Sequence, residues 1–174
     1  MNSSEKNDAT APCEFMDNLN LLRQTYFFSS FPLETLKVIA YLCAREKFKK
    51  GLALFNQNED DGQAFLVIDG KARLEREDDG KMTVIRECHA GEFLGGLTLL
   101  GGRHRLFSLI AVEDTTCLII HREKFTKAIK QFPDIMPKIL KAVVDNISTW
   151  EERFLTERAE ECGGCLEKLG VSLV

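Results

Sequence analysis

Ala64-Phe-Leu-Val-Ile-Asp-Gly70-Lys-Ala-Arg-Leu-Glu75 is the stretch that decides the fold. Residues 64–69 form a short run rich in Val, Ile, Leu and Phe. After Gly70 the pattern alternates, with Ala72 and Leu74 set against Lys71, Arg73 and Glu75. A run, a glycine and an alternating run describe two short strands joined by a turn. Downstream, Asp78-Asp79-Gly80 offers a hairpin turn, because glycine tolerates positive φ. Thr83–Cys88, Leu106–Val112 and Thr115–His121 continue the strand-like texture, punctuated by Gly91, Gly95–Gly96 and Gly101–Gly102. Upstream, the same texture begins at Ala44 and is broken by Gly51 and Gly62. Short, regularly spaced strands with turn residues between them indicate an antiparallel sandwich or roll.

Both flanks read differently. Residues 1–13 are polar and are expected to be a flexible tail. Glu14 to Gln24 carries Phe15, Leu19 and Leu22 at helical spacing, and Pro32 to Leu42 reads as a second helix with Ser30 as its N-cap. Beyond His121, Arg122–Phe132 reads as a short helix. Pro133 and Asp134 break it and start a long helix reaching about Glu161, with Asp134 as cap and Pro137 in the tolerated first turn. The expected organisation is a tail over 1–13, a β roll with N-terminal helices over 14–132, a dimerisation helix over 133–161 and a C-terminal tail over 162–174.

Composition narrows the function classes. The apolar fraction of 44% supports a full core, and the 29% charged fraction marks a globular rather than disordered chain. A net charge of −4 is a poor match to general nucleic-acid binding, which needs a basic face. No apolar run is long enough to span a membrane, and residues 1–12 lack a signal-peptide core. A cytoplasmic location is therefore expected, with the six cysteines reduced. Cys13, Cys43, Cys88 and Cys117 sit among apolar neighbours and read as buried small hydrophobes.

Four stretches together carry a resemblance: Phe28-Ser-Ser-Phe-Pro-Leu-Glu-Thr-Leu36, Arg45-Glu-Lys-Phe-Lys-Lys-Gly51, Ala64 to Leu74, and Gly91-Glu-Phe-Leu-Gly-Gly-Leu-Thr-Leu-Leu100. Their order and spacing resemble the cyclic-nucleotide-binding domains of the catabolite activator family and of kinase regulatory subunits, over about residues 26 to 155. The resemblance implies a mainly β fold with flanking helices, a double-stranded β-helix or jelly roll, and a long C-terminal helix. It also implies a phosphate cradle. In that family a glycine, a glutamate and a short helix hold the sugar-phosphate, and an arginine pairs with the phosphate.

Mapped by that resemblance, Gly95 matches the first glycine, and Leu97, Thr98, Leu99 and Leu100 match the short helix. Gly96 stands where the glutamate belongs, so the acceptor for the ribose hydroxyl is missing. Arg105 aligns with the phosphate arginine, while Leu106 and Phe107 replace two small residues and would fill or reshape the pocket. A lost charged hydrogen bond is worth about 1.5–3 kcal/mol, so these departures argue against tight cyclic AMP or cyclic GMP binding through the usual contacts. The candidate ligand is a cyclic nucleotide or another small anion. Arg103 and His104 join Arg105 in a cationic cluster that reads either as a solvated loop tip or as an anion site.

Met136, Leu140, Val143, Ile147, Trp150 and Phe154 follow heptad spacing and predict packing against a like helix. A parallel homodimer is expected, with Trp150 and Phe154 as aromatic anchors. About twenty residues follow, too few for a three-helix DNA reader, so direct DNA binding is not expected. Cys162-Gly-Gly-Cys165 could share a metal or form a disulfide, against the plainer reading of a helix-ending Gly-Gly with two incidental thiols. The expected function is a non-enzymatic, small-molecule-binding regulatory module with an unidentified protein partner. The alternatives are a ligand-free dimeric adaptor, or a thiol-based redox or metal sensor.

Overall fold

The computed structural model describes residues 11–159. Helix α1 (Ala11–Gln24), a 3₁₀ turn (Tyr26–Phe28) and α2 (Leu33–Leu42) lead into eight strands: β1 (Ala44–Phe48), β2 (Ala53–Phe55), β3 (Gln63–Asp69), β4 (Lys71–Asp78), β5 (Lys81–His89), β6 (Phe93–Leu94), β7 (Ser108–Ala111) and β8 (Thr115–His121). The short α3 (Gly96–Leu100) lies between β6 and β7. Helix α4 (Arg122–Lys130), a 3₁₀ turn (Pro133–Ile135) and α5 (Met136–Ala159) follow β8. The strands form two four-stranded antiparallel sheets, ordered β1-β8-β3-β6 and β2-β7-β4-β5.

The period-2 geometry of strands divides the core in two. In β3, Phe65 and Val67 point into the roll with Cys117 and Ile119 of β8, Leu74 of β4 and Leu109 of β7. Their neighbours Ala64, Leu66, Leu118 and Ile120 point to the other face and pack under helices carrying Leu22, Phe28, Ile39, Phe125 and Ile135. Burial on both faces explains why β3 and β8 read as unbroken apolar runs. β4 covers only one core, so it alternates. The β4–β5 hairpin turns at Asp79 (φ 52°) and Gly80 (φ 77°), a pair of left-handed residues that matches the twist of the flanking strands.

Several boundaries depart from the sequence expectations. α1 begins at Ala11, inside the segment assigned to a tail. Pro32, not Ser30, precedes α2, and its carbonyl accepts the first helical bond from Leu36. Asp134 lies within a 3₁₀ turn rather than capping α5, whose first residue is Met136. β7 is shorter than expected because Leu106 and Phe107 belong to the loop before it. Cys88 and Cys117 are fully buried, as read, whereas Cys43 is only half-buried and Cys13 is exposed on α1. Among the described residues no helix is long and apolar enough to cross a membrane, and no cluster of three His, Cys, Asp or Glu residues suits a metal. Cys162 and Cys165 lie outside the described residues.

Candidate functional site

The turn between β6 and α3 sets the site. Gly95 adopts φ +83°, and a Cβ there would lie 2.7 Å from the Arg105 guanidinium and 2.9 Å from the Gln63 carbonyl oxygen. Only glycine fits both the left-handed backbone and that close approach. At Gly96 a Cβ would come within 3.1 Å of the Phe93 ring and 3.4 Å of the Phe27 ring. Aromatic side chains therefore occupy the space beside the position where the family glutamate would stand. α3 is a single turn, and its Thr98 amide already donates to the Gly95 carbonyl.

Arg105 is buried and its donors are engaged inside the protein. Nη2 donates to both Asp61 oxygens at 2.7 and 2.9 Å and to the Gln63 carbonyl at 2.6 Å. Nη1 donates to Thr98 Oγ1 at 3.2 Å, and the guanidinium plane lies 4.0 Å from the centre of the Phe55 ring. A carboxylate thus holds the place at which a ligand phosphate would pair. Neither Asp61 nor Phe55 was singled out in the sequence.

A second pair braces the same loop. Arg122 binds Asp60 through Nη1 at 3.1 Å and through Nη2, while Nε donates to the Thr98 carbonyl at 2.6 Å. The hydrogen bond from Arg122 holds the Asp60 carboxyl below the usual carboxylate range, with the Gly62 and Arg103 amides adding to the effect. The loop before β7 is stitched to residues 58–59 by Asn58 N to Arg105 O and Arg105 N to Glu59 O, both 2.8 Å. His104 Nδ1 lies 2.7 Å from the Asn58 carbonyl. A carbonyl only accepts, so Nδ1 carries the proton in this contact.

Above this floor lies a cavity of about 440 Å³. Gly95, Gly96, Leu97, Thr98, Arg103, His104, Arg105 and Leu106, all singled out in the sequence, line it together. Tyr26, Phe27 and Phe93 form a further wall that sequence reasoning missed, although Phe93 lay inside one quoted stretch and Phe27 directly before another. Phe27 and Phe93 pack with ring centres 5.4 Å apart.

α5 supplies the remaining wall, through Ala142, Val143, Asn146 and Ile147. The heptad seam is thereby split. Val143 and Ile147 turn toward the cavity, while Met136, Leu140 and Val144 are exposed. The side chains of Trp150 and Phe154 lie outside the described residues. Tyr26 ties the wall to the N-terminal helices. Partial desolvation and its hydrogen bond with Asp145 of α5 raise the phenol above its ordinary pKa. Lys141, bonded to Asp145 at 2.6 Å, holds that carboxylate low.

Comparison with known proteins places this geometry. The profile of the family described as the cyclic nucleotide-binding domain matches residues 45–132. A protein named Lysophospholipase nte1 from Aspergillus terreus is 28% identical over 156 residues, covering 89% of this chain but 10% of its own length. The chain thus spans about a tenth of the length of such curated relatives. Among solved structures, a cyclic nucleotide-binding-like protein from Brucella abortus is 26% identical with a TM-score of 0.60, over 66% of this chain and 98% of that one. The catabolite activator protein of Thermus thermophilus is 27% identical with a TM-score of 0.59, over 79% and 61% of the two chains. The jelly roll, its flanking helices and this match together show that the chain belongs to the cyclic nucleotide-binding domain family.

Proposed function

We propose that this domain is a non-catalytic regulatory module in which a small molecule in the cavity changes how α5 sits on the roll. One observation carries this reading: four consecutive-turn residues of α5 share a cavity with the Gly95–Thr98 turn. A ligand touching both surfaces has a different affinity for each α5 position, which is what shifts such an equilibrium. In a longer protein, such as the relatives ten times this length, that movement would reach neighbouring domains.

Cyclic AMP and cyclic GMP are not the expected ligands through the usual contacts. Their phosphate would have to displace Asp61 from Arg105, leaving a carboxylate without its partner, and their ribose would find rings beside Gly96. The test is a thermal-shift titration with both nucleotides on the parent and on Asp61→Asn. No saturable shift in the parent is the expected result. A shift in the parent that Arg105→Ala abolishes would restore the ordinary cyclic-nucleotide reading.

Homodimerisation through α5 is part of the proposal, with a different seam from the heptad. Met136, Leu140 and Val144 are 52%, 64% and 42% exposed on one side of the helix. That stripe also supports the second reading, a dimeric adaptor whose cavity stays unused. Both readings predict a dimer by light scattering, and only the first predicts a ligand.

A further inference from the structure

We infer that the cavity takes an amphipathic anion: an apolar tail of about ten carbons carrying one carboxylate or phosphate monoester head. The inference deepens the proposed reading of the cavity as a ligand site and rests on it.

The walls set the tail. Tyr26, Phe27, Phe93, Leu97, Val143 and Ile147 present rings and aliphatic side chains from the N-terminal turn, the β6–α3 turn and α5. A sugar, with a hydroxyl on almost every carbon, would leave several donors unpaired against them. An acyl or aryl tail has no such groups, and small-molecule sites are commonly built as apolar walls with a few placed polar groups. The 440 Å³ of space equals about fifteen water volumes. That accommodates a tail of about ten carbons with its head.

Charge bookkeeping sets the head. The floor is neutral, since Arg105 and Asp61 saturate one another, and Arg122 and Asp60 do the same beside it. No Asp or Glu is among the lining residues. Left over are Arg103 and His104, both exposed on the loop before β7. Among the described residues the Arg103 guanidinium has no recorded acidic partner. His104 spends Nδ1–H on the Asn58 carbonyl, so its Nε2 can donate to an anion only when the ring is doubly protonated. The unpaired guanidinium is thus carried by the loop before β7, in a hollow whose uncharged polar side chains are Thr25, Tyr26, Thr98 and Asn146. The Arg103 guanidinium fork suits a carboxylate or a phosphate equally. The cluster seen in the sequence divides in two: Arg105 builds the floor, and Arg103 with His104 receives the ligand.

Calorimetric titration of the full chain with decanoate, decyl phosphate and decanol, below their micellar concentrations, tests this directly. Cyclic AMP and inorganic phosphate serve as companions. At least one of the two anions is expected to bind one per chain, at least tenfold tighter than decanol, and comparison of the two identifies the head. Arg103→Ala with His104→Ala should erase that preference while decanol binding persists, which shows that the hollow is still formed. Ile147→Trp, and separately Leu97→Trp, should block decanoate, decyl phosphate and decanol alike by filling the hollow. Equal binding of decanol and the anions, or a preference that survives the double substitution, overturns the inference. Binding of cyclic AMP with no binding of either anion overturns it while leaving the regulatory module standing. Silence from every compound overturns both.

Discussion

Arg105 and Asp61 show how one local choice redirects a site. The guanidinium is 6% exposed and its carboxylate partner 17% exposed, so the pair is largely desolvated. Removing one member of a buried pair leaves the other charge unpaired, which costs more than the pair itself contributes. Asp61→Asn is expected to lower stability by about 2–3 kcal/mol in urea unfolding, and an unchanged midpoint would contradict the burial. Gly95→Ala adds a Cβ at positive φ against a backbone carbonyl and should cost more than about 1 kcal/mol.

The cysteines give a pH signature at the same scale. Burial pushes the Cys43 and Cys117 thiols up to about 12 and Cys88 up to about 11. Because the folded values exceed the unfolded ones, the native state holds more protons in alkali. Stability is therefore fully present below about pH 9 and falls as pH rises from there toward about 12. Among the four described cysteines, iodoacetamide at neutral pH should label Cys13 and spare the other three until unfolding, as mass mapping would show. Gly95 and Arg105 were legible because each must be the residue it is for its backbone or its fork. Asp61 was not, since it meets Arg105 across 44 positions through a contact that only the folded roll creates.

Among the elements, β3 and β8 were the easiest to read, because strands buried on both faces need apolar side chains throughout. β6, two residues long, has too few positions to show any alternation. α5 was half legible. Its heptad spacing grouped residues that the fold sends to different surroundings, because the pattern cannot tell a partner helix from the mouth of a cavity. The structure gives Val143 and Ile147 to the cavity and leaves Met136, Leu140 and Val144 outside. For a dimer formed on the outer stripe, Leu140→Asp should yield a folded monomer by light scattering and leave decanoate binding intact. Ile147→Asp should instead abolish decanoate binding, because it places a carboxylate in the hollow. A monomeric parent would end the dimer proposal.

On the scale of the whole molecule, the two cores meet at β3 and β8, so the roll and the helical layer share their central strands. Phe65→Ala, in the inner core, should cost about 3–5 kcal/mol and unfold both layers in one transition; two separate transitions by circular dichroism and tryptophan fluorescence would show independent layers. The cavity sits where the helical layer crosses the mouth of the turn after β6, bounded by Tyr26, Phe27 and α5. Occupancy there touches the roll and the helices at once. Amide hydrogen exchange across residues 142–147, with and without saturating decanoate, is the most direct test. Marked slowing in that segment of α5, together with residues 25–27, is the predicted result. A saturated protein whose α5 exchanges at its unliganded rate would contradict the coupling of ligand to helix.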